Sequence, residues 1–330
     1  MSAAGRYCPS DYRYPAADFR RSPEVSTHAL YVVGGLYGNR FALDTVEAMA
    51  AAEPGDATVV FNGDFHWFDA DPRRFAEIDR RVLAHRATRG NVETELARAS
   101  DVGAGCGCAY PDAVDAGTVE RSNRILDRLR RHCVDALPGT RERLAALPMT
   151  MIAEVGRLRV GIVHGDAESL AGWRFAHDAL DAPEATAWLE VIRIASHVDV
   201  YACSHTCLPA ARDFRLAPGR LTVINNGAAG MPNFRGTTYG VLTRIATRPS
   251  PHPVLCRIGR DGTYIEALPV AYDHSRWLRE FTGIWPAGSP AHESYLDRVV
   301  SGPHFTPRAA YPDASQSAPP RLSDSASVVS

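Results

Sequence analysis

The chain has 330 residues, 45% of them hydrophobic and 22% charged, an ordinary globular composition with length enough for a sizeable core. Its 36 basic and 38 acidic residues leave a formal net charge of -2, so no overall field draws it to nucleic acid or to an anionic membrane. No uninterrupted apolar run is long enough to span a bilayer, and Met1 to Val25 lack the apolar core of a signal peptide, which points to a cytoplasmic, non-membrane protein. Seven cysteines, an odd number without an export signal, argue for thiols or metal ligands before a disulfide framework.

Residues 1 to 26 are polar and rich in Arg, Tyr and Pro and read as a disordered lead-in, leaving one domain over 27–300. Ala29 to Val33, β-branched and aromatic, is the first expected core strand, and it ends at Gly34-Gly35-Leu36-Tyr37-Gly38-Asn39. An amphipathic helix follows on Phe41, Leu43, Val46 and Met49, and Glu53-Pro54-Gly55-Asp56 terminates it. The next apolar run, Ala57 to Phe61, stops at Asn62-Gly63 and delivers Asp64 where acids at strand ends line the ligand crevice of α/β proteins.

A helix over about 72–84 leads to the polar turn Arg89-Gly90-Asn91-Val92-Glu93. Gly103 to Pro111, with glycine at alternate positions around Cys106 and Cys108, cannot be regular structure. Val119, Ser122, Leu126, Leu129 and Cys133 recur at helical spacing, and a shorter helix runs from Thr140 to Leu147, so residues 98–148 form an inserted helical lid. Met149 to Val155 and Leu158 to Val163 read as a hairpin turning at Gly156-Arg157, and its second strand ends on His164-Gly165-Asp166. After a helix headed by Pro183, the strand Asp199 to Cys203 ends in Ser204-His205-Thr206-Cys207. Strands at Leu221 to Asn225, Tyr239 to Ala246 and Tyr264 to Val270 complete the core, with helix beyond 273, and residues 301–330 read as a disordered tail rich in Ser, Pro and Ala.

Five strand-end loops thus carry, in order, Gly35 with Tyr37, Asp64, Asn91, His164, and His205 with Cys207. A dinucleotide loop at Gly34 to Gly38 is excluded because Val33 breaks the G-x-G-x-x-G spacing. The ordered set resembles the calcineurin-like metallophosphoesterases, whose loops read Asp-x-His-Gly-Asn, Gly-Asp, Gly-Asn-His-(Asp/Glu), a His motif and Gly-His-x-His. The likeness covers roughly residues 29–272 and includes Asn225-Asn226-Gly227-Ala228-Ala229-Gly230-Met231-Pro232, similar to the Asn-Pro-Gly-Ser-Val-Gly-x-Pro segment of the bacterial branch.

The resemblance implies a four-layer α/β sandwich of two mixed β-sheets flanked by helices, and hydrolysis of a small phosphorylated substrate, a phosphomonoester or phosphodiester, by metal-activated water. It implies a metal held by Asp64, Asn91, His164 and His205, with zinc, manganese or iron as the candidate ions. The family's second metal site falls here on Gly35, Tyr37, Asp64 and Cys207, where only Cys207 is a credible new donor, one that favours a thiophilic metal. The Cys106 and Cys108 loop is a candidate contributor to the same cavity, against the plainer reading of buried or redox-sensitive thiols.

Val92 stands where the family has its proton-donating histidine, which leaves His66 as the nearest imidazole for acid catalysis beside Asn91 and His164. Asn39 and Arg89 are the candidates for holding the phosphate. The rival expectation is a non-catalytic relative that kept the scaffold with a degenerate metal site.

Overall fold

The computed structural model describes residues 4–100 and 102–312. Among these described residues are twelve strands: β1 Val25–Thr27, β2 Ala29–Val33, β3 Ala57–Asn62, β4 Arg86–Thr88, β5 Thr150–Val155, β6 Leu158–Val163, β7 Val200–Cys203, β8 Pro209–Leu216, β9 Gly219–Asn226, β10 Gly240–Ala246, β11 Cys256–Arg260 and β12 Thr263–Val270. They form two six-stranded mixed sheets, ordered β11-β12-β10-β2-β3-β4 and β1-β5-β6-β7-β9-β8. In the first, β2, β3 and β4 run parallel, with β10 antiparallel to β2. In the second, β6, β7 and β9 run parallel, and the expected β5–β6 hairpin pairs Val155 with Leu158.

The helices flanking these sheets are α1 Arg40–Ala51, α2 Pro72–Val82, α3 Asn91–Ala97, α4 Ala116–Leu129, α5 Thr140–Ala145, α6 His177–Asp181, α7 Ala185–Ser196, α8 His274–Ile284, α9 Pro290–Ser301 and α10 Pro307–Ala310. Strand periodicity assigns the layers. In β2, Leu30 and Val32 pack between the sheets against Val160, Ile162 and Val200, while Tyr31 and Val33 face the outer layer with Phe41, Val46 and Trp277. On the other side, Ile152, Val163 and Val223 pack against Leu189 and Ile192 of α7. Both faces of each sheet are therefore covered, which is why the central strands read as continuous apolar runs without alternation. The result is a four-layer α/β sandwich of two sheets between helices.

The N-terminal expectation needs correction. Residues 4–26 are packed on the domain: Tyr12 and Phe19 are fully buried, and β1 pairs with β5. The Glu24 carboxylate accepts the Ile152 backbone N–H at 2.7 Å. The physical reason is aromatic payload. Tyr12, Tyr14 and Phe19 bury enough apolar surface to order a segment whose proline and arginine content otherwise favours solvent.

The C-terminal expectation is corrected over its first part, because Phe305, Ala310 and Tyr311 join the inter-sheet core. Residues 313–330 lie outside the described residues. Four strands escaped the sequence reading: the three-residue β1 and β4, β8 with its leading proline and three charged residues, and β11 with alternating arginines; all four are sheet edges, where short strands and such residues belong. Among the described residues no helix is long and apolar enough to cross a membrane.

Candidate metal centre

The strand ends converge. β3 stops at Gly63 (φ +71°) and Asp64 (φ +51°), two successive left-handed residues that turn the chain sharply out of the sheet. A buried carboxylate holds this turn: Glu93, in the first turn of α3, accepts the backbone N–H groups of Asp64 at 2.7 Å, Phe65 at 3.0 Å and Gly90 at 2.9 Å. Burial and the Asp64 charge both push the Glu93 carboxyl above its ordinary range, against the His66 charge and the backbone donors that favour its charged form. Glu93 was visible in the sequence only as an acid in a polar turn. Its role follows from α3 starting at Asn91, where a turn was expected.

Each remaining ligand candidate is oriented by a backbone carbonyl. His164 Nδ1 lies 3.0 Å from the Asn62 carbonyl, which can only accept, so Nδ1 carries the proton and Nε2 presents its lone pair. His205 Nε2 lies 3.1 Å from the Cys108 carbonyl, so Nε2 carries the proton and Nδ1 presents the lone pair. Asn91 Nδ2 donates to the Cys106 carbonyl at 2.9 Å, which turns Oδ1 inward. Asp64 Oδ1 accepts the Val92 N–H at 3.2 Å, leaving Oδ2 inward.

The four inward atoms face one another. His164 Nε2 is 3.1 Å from Asn91 Oδ1, 3.2 Å from His205 Nδ1 and 3.3 Å from Asp64 Oδ2. All four residues are buried, Asn91 completely. Four acceptors are thus packed together in a site that water barely reaches, and a single proton on His164 would have to serve all the others. Such an arrangement is unfavourable unless a cation sits among the lone pairs.

The spacing also fits an ion. Tetrahedral zinc with ligands about 2.0 to 2.1 Å away places neighbouring donors about 3.3 to 3.4 Å apart. Oriented imidazoles whose far nitrogens are tied to carbonyls are the usual surroundings of a metal site. The residues present therefore fit a divalent cation held by Asp64, Asn91, His164 and His205.

The cluster attracts positive charge, whether a cation or a proton. Burial opposes charge on His164, yet the Asp64 carboxylate outweighs it and raises the imidazole above its ordinary value. Burial likewise opposes charge on Asp64, and His164 together with the Val92 N–H nevertheless brings its carboxyl below the usual range. His205 is pushed down to about 3 by burial and by the neighbouring His164, so it stays neutral and available as a ligand.

The other half of the site is different in kind. A Cβ added at Gly35 (φ +63°) would lie 2.9 to 3.1 Å from Cε2, Cζ and Oη of Tyr37. The phenol ring therefore stands in the space that a side chain at position 35 would need. Its hydroxyl meets Cys207 Sγ at 2.9 Å, and that sulfur lies 3.2 Å from the His205 carbonyl. Burial holds the Tyr37 hydroxyl and the Cys207 thiol above their ordinary values, so both remain neutral. Among the described residues the ligand cluster contains Asp64, His164 and His205 and no cysteine sulfur. Cys207 is thus brought to Tyr37 and not to the metal ligands.

Cys106 and Cys108 serve the site through their carbonyls. This glycine-rich loop turns on Gly105 (φ +60°), Gly107 (φ +69°) and Ala109 (φ +48°), and it is clamped from outside by the N-terminal segment. Gly5 N–H donates to Ala104 at 2.9 Å, and Tyr110 N–H donates to Gly5 at 2.9 Å. The insert lies over the metal ligands, with α5 and α4 packed on α3.

Three candidates are placed elsewhere. His66 is fully buried against Phe75, ring centroids 3.6 Å apart, with Nδ1 2.6 Å from Asp69 Oδ2 and Nε2 3.8 Å from Asp79 Oδ1. Burial works against its charge, but the Asp69 and Asp79 carboxylates prevail and push it up to about 9. It is a structural imidazolium engaged with its own loop and α2, which corrects its assignment as the acid. Arg89 donates to the Ala145 carbonyl at 3.0 Å and so ties α5 to the Asn91 turn; this corrects its assignment to phosphate. Asn39 caps α1 by accepting the Phe41 and Ala42 N–H groups, and its amide donates to the Gly230 carbonyl at 2.9 Å. Fully buried, with its oxygen and one amide hydrogen spent on structure, it is a cap and a tether, which corrects its placement as a substrate contact.

The two sheets, their flanking helices and the loops at one end of the sandwich define the metallophosphoesterase fold. A metallophosphoesterase from Sphaerobacter thermophilus has a similar structure over 83% of this chain and 100% of its own, with a TM-score of 0.51 and 17% identity. A hypothetical protein from Pyrococcus horikoshii OT3 is similar over 84% of this chain and 99% of its own, with a TM-score of 0.55 and 16% identity. At such identities the likeness is one of fold. No family model and no curated protein sequence matches the chain.

Proposed function

We propose that this protein hydrolyses a small phosphorylated substrate, a phosphomonoester or phosphodiester, with one divalent cation held by Asp64, Asn91, His164 and His205. The observation that carries the reading is the convergence of four lone-pair atoms whose hydrogen-bond partners leave none of them a donor. A divalent cation bound there would supply Lewis-acid polarisation of a phosphoryl oxygen and lower the pKa of water. The residues themselves supply orientation: Asn62 and Cys108 carbonyls fix both imidazole tautomers, and Glu93 fixes Asp64. The insert shields these groups from bulk water, which strengthens every electrostatic interaction among them.

Zinc, manganese and iron all suit this mixed N/O donor set. The test is to quantify the metal in purified protein, strip it with a chelator, restore each ion in turn, and assay aryl and alkyl phosphomonoesters and phosphodiesters. Metal-dependent turnover is the expected outcome. Stoichiometric metal with no turnover of any ester overturns the hydrolase in favour of a second reading, a metal-holding protein without catalysis. The filling of the Gly35 space by Tyr37 and the apolar Val92 favour that second reading.

A further inference from the structure

The geometry points to a role for Tyr37 beyond filling space: its hydroxyl, held at Cys207 in the loop that also carries His205, is the hydrogen-bond donor to a phosphoryl oxygen, in place of a second cation. This rests on the one-cation reading above. The backbone is built for it at a cost. Tyr37 (φ +55°), Asp64 (φ +51°) and Cys207 (φ +60°) are all left-handed non-glycine residues, and all three meet at this site. A bulky side chain in that region is strained, and such strain gathers where function requires an otherwise unfavoured placement.

The hydrogen-bond direction can be read. The Cys207 thiol has the His205 carbonyl as its acceptor, so the Tyr37 hydroxyl donates to Cys207 sulfur. Thioether and thiol sulfurs are weak acceptors. The phenolic proton is therefore parked on a partner that an anionic phosphoryl oxygen would readily replace.

Positive charge is present as well. Arg298 of α9 donates to the Cys207 carbonyl at 2.6 Å and to the Pro232 carbonyl at 3.2 Å, and its charge acts on both Tyr37 and Cys207. A neutral donor beside a fixed guanidinium reproduces, more weakly, what a cation would do for a bound oxyanion.

The test is calorimetric titration of inorganic phosphate into the zinc-loaded full-length protein, with zinc content measured on the same samples. Tyr37→Phe removes one oxygen and keeps the ring, so zinc should stay at one per chain while phosphate binds about tenfold more weakly. Cys207→Ser gives the phenol a stronger acceptor and should weaken phosphate binding by a few-fold. Tyr37→Phe binding phosphate as tightly as wild type overturns the proposal, as do two zinc ions per wild-type chain or no phosphate binding by wild type. Tyr37-dependent phosphate binding without turnover of any ester would instead sink the hydrolase reading alone.

Discussion

Asp64 is gathered with Asn91, His164 and His205, while Tyr37 and Cys207 form a second group bonded to each other. Both groups are delivered by strand-end loops through left-handed backbone, at Asp64 on one hand and at Tyr37 and Cys207 on the other. The first group presents lone pairs whose orientation is fixed by the carbonyls of Asn62, Cys106 and Cys108. The second group presents protonated, neutral side chains that satisfy one another. Identical scaffolding therefore supports two chemistries, one that calls for a cation and one that supplies hydrogen. What separates them is whether each polar group's proton has already been assigned by a neighbour.

The largest effect should come from crossing that divide by substitution. His164→Ala removes a lone pair at the centre of the cluster and should lower zinc affinity by more than the roughly 100-fold typical of losing an outer hydrogen bond. Cys207→Ala in the other half should leave zinc affinity unchanged. Metal titration with a competing chromophoric chelator measures both, and equal losses in the two variants would erase the distinction between the halves.

A smaller effect is expected from the loop that orients the ligands. In Gly107→Ala the new Cβ would fall 2.2 Å from the Tyr12 hydroxyl and 2.8 Å from Glu95 Cγ, at φ +69°, so the loop has to move. With it would go the Cys106 and Cys108 carbonyls, and zinc affinity should fall by roughly 10-fold to 100-fold while circular dichroism stays native. Native folding with undiminished affinity would show that the insert merely covers the site.

The last comparison sets His66 against His164 and His205. Its pKa is raised from the ordinary 6.5 to about 9 in the fold, so its stabilisation is complete below pH 6.5 and is lost as pH rises through about 9. The full contribution is on the order of 3 kcal/mol. Urea unfolding of wild type at pH 6 and pH 9.5 should show that loss, and His66→Gln should show a flatter profile over the same window. A wild-type profile as flat as that of the variant would return His66 to the list of candidate acids.

Much of this was legible in the chain. Apolar runs ending on Gly63-Asp64, His164 and Ser204-His205 announce strands that hand polar residues to one edge, because a buried strand has no other place for them. The same logic failed for Asn39, Arg89 and His66. A helix cap, a tether and a buried ion pair use the same residue types as a site, and only their neighbours distinguish them. Asp71 capping α2, by contrast, follows from local sequence alone, being an acid directly before a proline at the first helical position.

The sequence by itself determined the main strand runs and the order of the strand-end loops, since hydrophobic period and turn residues are local properties, and the resemblance carried by those loops supplied the layers and the four metal-ligand candidates. Tertiary structure alone decided the rest. Packing of Tyr12 and Phe19 ordered the N-terminal segment, a long-range carbonyl set each imidazole tautomer, and the Tyr37 ring entered the space left by Gly35. Each of these depends on contacts between residues far apart in the chain, and no local pattern encodes which distant group will accept a given proton.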